Sequence, residues 1–186
     1  MFLRVYMTDA REPPPPVTLK RKEIAMKKLT ALLLSALLCL SLLAGCQQGE
    51  EEAKNPTCEE VLTAIQEAIG EDNLPMMGEI DDETLSVLYG FEPTELLEDY
   101  RGSISQMNVH ADEILVMKVK EGNMEDVEAG VAQRQEDLDA TWSQYLPEVY
   151  EIVQDARVVK NGQYLLFVVS AYADEAVAAF DEMTGA

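Results

Sequence analysis

The single histidine of the chain, His110, has neighbours suited to acid–base chemistry. Asp112 follows two residues later, and Ser103 and Ser105 precede it, so these residue types could form a hydrolytic Ser-His-Asp triad. A triad needs all three groups within mutual hydrogen-bond reach, and residues in a turn between strands seldom achieve this. We therefore interpret His110 as a solvated turn residue.

Adjacent carboxylates recur along the chain, and a pair of carboxyl groups is what a glycosidase uses. The pairs are Asp81-Asp82, Glu98-Asp99, Glu136-Asp137 and Asp181-Glu182. Glycoside cleavage needs two carboxyl groups facing each other across a cleft, whereas acidic runs on helices usually face water. The chain also lacks the Cys, His or calcium-loop spacing of a metal site, so we predict no metal, no cofactor and no enzymatic activity.

Four of the seven mature cations fall on predicted strands, namely Lys118, Lys120, Arg157 and Lys160. If these strands are neighbours, an open face of the sheet carries a basic strip within an acidic protein. Such a strip would suit an anionic wall component or an acidic helix of a partner protein. The alternative is that each cation pairs with Glu or Asp on a neighbouring strand.

Residues 26–45 have the pattern of a bacterial export signal. Lys27 and Lys28 supply the cationic start, and an apolar run from Leu29 to Leu43 follows. The run is shorter than the roughly 20 apolar residues that span a bilayer. It ends in Leu43-Ala44-Gly45-Cys46, which resembles the lipobox of bacterial lipoproteins.

The lipobox resemblance implies cleavage between Gly45 and Cys46 and a diacylglycerol on the Cys46 thiol, with an ordinary secreted protein or a buried helix as the alternatives. Two or more acyl chains hold a protein stably on a membrane, so we expect a lipid anchor on the extracytoplasmic face. Because Cys39 leaves with the signal, Cys58 is the other mature thiol and no intramolecular disulfide is expected. Its position at a helix start favours a packed or partly exposed residue over a catalytic thiol.

The chain divides into four segments around this signal. Residues 1–25 include a run of four prolines that cannot form a helix, and we interpret them as a miscalled start or a disordered extension. Residues 26–45 form the signal peptide. Residues 46–56 are a flexible acidic tether that reaches roughly 30 Å. Residues 57–186 have the length of a single domain.

The mature chain is strongly acidic, with seven Lys and Arg against 32 Asp and Glu from Cys46 onward, a net charge of −25. This charge argues against nucleic acid, which is bound through Lys and Arg contacts to phosphate. It also argues against lying flat on anionic lipid, because like charges repel within a Debye length of roughly 8 Å.

Capping signals and hydrophobic periodicity predict several helices. Thr57 and Glu60 have the spacing of a capping box, at the start of a helix that ends near Gly70. Short helices are predicted over Asp82–Gly90 and, because Pro suits a first turn, over Pro93–Gly102.

One long helix is predicted from Asn123, with an apolar stripe that recurs at gaps of 3, 4, 7, 4 and 3 residues up to Tyr145. Pro147 interrupts it and starts a short helix. A last helix is predicted over Ala173–Met183.

Two hairpins are predicted between these helices. The segment Ser103–Val109 alternates as a half-buried strand should, and Ile114–Lys120 is its return strand. Asn161-Gly162 has the composition of a two-residue turn. Tyr164–Val169 is apolar on both faces, which predicts a central strand. The fold class is therefore α+β, an antiparallel sheet of about four strands with helices packed on it.

Several of these segments resemble an uncharacterised lipoprotein family of clostridia-type Gram-positive bacteria, whose domain has no known function. They are Ala111–Ile114, the long helix with Gln133 and Gln135, Tyr145–Pro147, and Gly162–Leu166. The resemblance covers roughly Asn73–Phe180. It implies a thick-walled bacterium, export and lipidation, and it transfers no catalytic residue.

These observations predict a membrane-anchored, non-enzymatic interaction or accessory module of the cell envelope, whose partner is an envelope protein or a wall component. The alternative is a small-ligand-binding lipoprotein associated with a transporter. That class usually has two lobes, for which about 140 residues is short. A hydrolase is the third interpretation.

Overall fold

Five antiparallel strands with helices on both faces make up residues 55–185, the part of the chain that the computed structural model describes. The helices are α1 Cys58–Ile69, α2 Asp82–Tyr89, α3 Pro93–Leu96, α4 Met124–Trp142, α5 Pro147–Gln154 and α6 Ala173–Thr184. The strands are β1 Met77–Glu79, β2 Leu97–Ser105, β3 Glu113–Val119, β4 Arg157–Asn161 and β5 Tyr164–Val169, in the spatial order β1-β2-β3-β5-β4. Within this range no helix is long and apolar enough to cross a membrane.

The predicted fold class is confirmed, and the sheet has one more strand than the four expected. The extra strand, β1, lies between the first two helices, where no strand was predicted, and pairs with the end of β2. β3 is the central strand, and β5, predicted to be central, lies next to it. Both strands are buried on both faces because helices cover the sheet above and below.

The two faces of the sheet carry separate apolar cores. On one face, which we call the α1/α6 face, α1 and α6 pack on alternate residues of the inner strands. Its core includes Val61, Ile65, Ile114, Val116, Leu166, Val168 and Phe180. On the other, the α4 face, the core includes Leu85, Tyr89, Leu115, Met117, Val127, Val131, Phe167 and Trp142.

The helix predicted over Pro93–Gly102 is wrong beyond its first turn. α3 has only four residues, and Leu97 starts the nine-residue strand β2. The reason is a tertiary contact, the pairing of this segment with β3. β3 is buried on both faces, and β2 supplies its hydrogen-bonding partners along one edge. The pairing runs from Leu97 opposite Val119 to Ile104 opposite Glu113. The strand predicted over Ser103–Val109 is therefore displaced toward the N-terminus and ends at Ser105.

The turn between β4 and β5 is also shifted by one residue. Asn161 pairs with Tyr164, so the two loop residues are Gly162 and Gln163. Gly162 has φ +60°, whereas no residue other than glycine has a positive φ in residues 55–185. A positive φ at the first loop position only is the pattern of a type II′ turn, which favours glycine there.

The other predicted helices are confirmed. Thr57 and Glu60 form the capping box of α1, α2 ends at Gly90, and Pro147 starts α5. α4 is the longest helix, although the side chain of Asn123 does not cap it.

Candidate functional site

The four cations predicted to form a basic strip do not come together on one open face. Lys118 forms an ion pair with Glu98, 2.9 Å between Nζ and the carboxylate oxygen. Lys120 lies just beyond β3 and donates to the backbone carbonyl of Thr94 at 2.7 Å.

The other two cations of the predicted strip are also paired. Arg157 pairs with Asp155 at 2.6 Å and approaches Asp174 of α6, on the α1/α6 face. Lys160 pairs with Glu128 of α4 at 2.6 Å, on the opposite face. Lys118 thus has the acidic partner on a neighbouring strand that the alternative expected, whereas the acidic partners of Arg157 and Lys160 lie in a loop and on helices. Anion binding by the four cations stays a prediction.

Gly45, Cys46 and the signal peptide lie outside the described residues, so the mature thiol that can be placed is Cys58. It is fully buried at the start of α1, and its backbone N–H donates to Asp99 at 2.8 Å. Burial, together with the nearby Asp99 carboxylate, raises the pKa of the Cys58 thiol well above its usual range. A buried protonated thiol is a packed residue and a poor nucleophile.

His110 does not assemble a triad. Its Nδ1 lies 3.5 Å from a carboxylate oxygen of Asp112, but within residues 55–185 no hydrogen bond joins it to Ser103 or Ser105. Ser103 accepts a hydrogen bond from Gln66 of α1 at 3.3 Å, and Ser105 bonds the backbone of Met107 at 3.1 Å.

A groove of about 310 Å³ opens on the α4 face, next to His110. One wall consists of Arg134, Leu138 and Trp142, which are spaced four residues apart and therefore lie along one side of α4. The opposite wall is the end of β2 and the loop to β3, residues 104–111. We call this feature the Arg134 groove.

Behind the groove lies a buried ionic network. Glu113, the first residue of β3, is 0% exposed and accepts hydrogen bonds from Arg134 through one oxygen, 3.0 Å from Nε and 2.6 Å from Nη2. Its other oxygen accepts a 2.6 Å hydrogen bond from the hydroxyl of Tyr89. Burial and the neighbouring carboxylate raise the pKa of Tyr89 well above its usual range. Burial alone would lower the pKa of Arg134, but the neighbouring Glu113 carboxylate raises it above its usual range.

Arg134 and His110 are more exposed than the carboxylates that they contact. The Arg134 side chain is 12% exposed against 0% for Glu113, and His110 is 43% exposed against 10% for Asp112. Burial raises the pKa of Asp112, and the nearby His110 offsets part of that shift. Within residues 55–185 Nη1 of Arg134 has no hydrogen-bond partner. Every polar side-chain atom that is buried in this part of the chain does have a partner, so Nη1 is not one of the buried atoms. Nη1 is therefore reached by solvent.

Apolar side chains are exposed around this groove. Met107 lines it and is exposed, as is Val109 in the same loop. Tyr145 is 55% exposed, and its ring centroid lies 5.7 Å from that of Trp142. Exposed aromatic and apolar side chains beside a polar groove are typical of a binding surface.

The sequence interpretation did not single out Tyr89, Glu113 or Arg134. A signal for Arg134 was present, because the apolar stripe of α4 has a gap of seven residues between Val131 and Leu138, and Arg134 fills it. A cation in register with an apolar stripe indicates a buried or partly buried charge with a partner. No comparable signal identified Glu113 as that partner.

These features define an α+β domain with an open groove on the α4 face, backed by a buried charge network. Residues 70–170 match the family described as "Domain of unknown function (DUF4358)", and the chain belongs to this family. The matched segment contains the whole Arg134 groove and its network, whereas α1 and α6 lie outside it. Comparison with curated proteins found no match, and comparison with solved structures found none either.

Proposed function

We propose that this protein is a lipid-anchored module on the extracytoplasmic face of a Gram-positive cell membrane. In this proposal the module binds a partner polypeptide in the Arg134 groove and catalyses no reaction itself. The observation that carries the binding proposal is the groove, in which outward-facing polar donors lie beside exposed apolar side chains.

The shape of the groove supports a polypeptide partner over an enclosed small molecule. At about 310 Å³ it is at the small end of ligand pockets, and exposed Met107 and Tyr145 extend the apolar surface beyond it. A polypeptide can use both the groove and these outer side chains. The second candidate, a small-ligand-binding lipoprotein associated with a transporter, is favoured by the polar side chains of Arg134 and His110, which line the same groove.

The proposal of a non-catalytic role is supported by the chemistry of two side chains. The Cys58 thiol is buried and protonated, and His110 is held by Asp112 without a hydrogen bond to a serine within residues 55–185. A nucleophilic mechanism needs a nucleophile and a base within hydrogen-bond reach of each other.

The anchor is tested with Cys46→Ser and the matched control Cys39→Ser, both in the full chain. Cells are labelled with a palmitate analogue, and the N-terminal peptide of the purified protein is analysed by mass spectrometry. We expect Cys46→Ser to lose the label and to retain an unprocessed leader, and Cys39→Ser to be labelled and cleaved before Cys46. Undiminished labelling of Cys46→Ser would contradict the anchor.

Partner binding is tested in intact cells with a photo-crosslinking amino acid placed at Tyr145, next to the groove. The control position is Val87, which is 78% exposed on α2 and does not line the groove. We expect a discrete adduct from Tyr145 that weakens when Met107→Ala is added, and none from Val87. Identical adducts from both positions, or an adduct indifferent to Met107→Ala, would contradict a partner at this groove.

A further inference from the structure

We infer that the Arg134 groove recognises the C-terminal carboxylate of a polypeptide whose last residue is apolar. This inference rests on the proposed function, because it names the chemistry of the partner at the same groove. The donor to the carboxylate is Nη1 of Arg134, and the apolar side chain lies against Leu138 and Trp142.

The guanidinium of Arg134 has a free donor whose direction is fixed. Nε and Nη2 of Arg134 both bond one oxygen of Glu113, which Tyr89 holds from the other side. The guanidinium plane is therefore fixed before any ligand arrives, which reduces the ordering cost of binding. Nη1 is left to donate to a ligand, and guanidinium–carboxylate hydrogen bonds are among the strong ones.

Other polar side chains line the groove beside that donor. Asn108 and His110 line the groove beside Arg134 and are exposed, and within residues 55–185 no other group bonds the Asn108 amide. Arg134 of α4 and Asn108 of the loop after β2 therefore bring N–H donors to one volume, and His110 adds a third polar side chain. Donors converging beside an apolar wall fit an acceptor-rich group attached to an apolar one.

The net charge of the domain also limits which ligands can bind. Residues 55–185 carry six Lys and Arg against 29 Asp and Glu, a net charge of −23, so the domain repels a polyanion. A neutral or basic polypeptide that ends in a single carboxylate can bind the donors of the groove, because it brings no other negative charge that the domain would repel. A groove of about 310 Å³ also has room for roughly one or two residues, which fits a chain end.

The test uses the fluorescence of Trp142, the only tryptophan of the chain, which lies in the groove wall. The full-length protein in detergent is titrated with acetyl-Gly-Lys-Leu bearing a free carboxylate, and with the same peptide as its C-terminal amide. We expect the free acid to bind about tenfold more tightly or better, because one charge-assisted hydrogen bond is lost in the amide. Equal affinities would overturn the inference.

Two further ligands distinguish the source of the carboxylate. Acetyl-Gly-Asp-Leu-amide carries an internal carboxylate, and acetyl-leucine carries a terminal one without a peptide. We expect both to bind at least several-fold more weakly than the free tripeptide acid. If acetyl-leucine binds as tightly, the site takes a small acid and the chain-end inference is overturned. A Tyr145 adduct in cells, combined with equal acid and amide affinities, would overturn the inference while leaving the proposed function intact.

Protein variants complete the test. Arg134→Lys should weaken the free acid about tenfold and leave the amide unchanged, and Lys160→Gln, on the same face but paired with Glu128, should change neither. Because Arg134 belongs to a buried network, the exposed Asn108→Asp variant provides a second measurement that does not depend on the core. It should weaken the acid several-fold more than the amide, and an equal effect on both peptides would contradict the inference.

Discussion

Helices cover both faces of the sheet, but the residues between helices and sheet differ from one face to the other. On the α1/α6 face, two helices pack on the sheet and on each other over an apolar core. On the α4 face, the core is interrupted by the Tyr89–Glu113–Arg134 network and opens into a groove. Apolar burial supplies most folding free energy, whereas buried ion pairs contribute little net stability and specify geometry. Both faces therefore bury an apolar core that stabilises the fold, and the α4 face in addition carries the charged network and the groove proposed for recognition.

The largest expected effect is on the α1/α6 face. Phe180 is fully buried there, and Phe180→Ala should lower the free energy of unfolding by about 4 kcal/mol, because it removes apolar contacts and leaves a cavity. Urea unfolding measures this change. The acid-over-amide preference in the Trp142 titration should be unchanged under conditions where the variant is folded. Loss of the preference would show that the two faces are coupled, and it would contradict the view that they act independently.

The next effect tests the network on the α4 face. Glu113→Ala leaves the Arg134 charge and the Tyr89 hydroxyl without their shared partner, and should cost about 3 kcal/mol in urea unfolding. It should also abolish the acid-over-amide preference, because the guanidinium is no longer held. Glu98→Ala, which removes the exposed partner of Lys118, is the control and should shift the unfolding midpoint far less.

A smaller effect is expected where α4 approaches α2 closely. A Cβ on Gly130 would lie 2.6 Å from the carbonyl oxygen of Tyr89 and 2.7 Å from the ring of Phe91. Gly130→Ala should therefore destabilise by about 1–2 kcal/mol, although alanine favours helix. Ala132→Gly, on the exposed side of α4, isolates the helix propensity and should cost about 1 kcal/mol. A stabilised Gly130→Ala would mean that the two helices can separate without cost.

The smallest effect is a pH dependence at the start of α1. Hydrogen bonds from Thr57 lower the pKa of Glu60 below its ordinary value of 4.5. The cap therefore stabilises the fold fully above pH 4.5, and this contribution is lost as the pH falls through the lower folded pKa. The difference in unfolding free energy between wild type and Glu60→Gln should shrink over that interval. A difference that does not change with pH would contradict this role of the cap.

The sequence predicted the elements whose signals are local. The capping box at Thr57 and the proline at the start of α5 act within one helical turn, and both are confirmed. Leu97–Gly102 was assigned wrongly because its conformation depends on pairing with β3, which no local signal reports. The groove was missed for the same reason, since Glu113 and Arg134 meet only through the packing of α4 on the sheet.

If the protein is anchored before residue 55 and binds a partner in the groove, as proposed, the register of β3 sets the distance between the two attachment points. Its first residue, Glu113, lies at the groove, and Lys118 near its other end pairs with Tyr164. The Tyr164 hydroxyl bonds the carbonyl of Pro56 at 2.6 Å, so the chain joins the sheet roughly 20 Å from the groove, at the opposite end. Tension between a bound partner and residue 55 would run parallel to the strands. It would load the hydrogen bonds between strands together, in shear, rather than break them one after another.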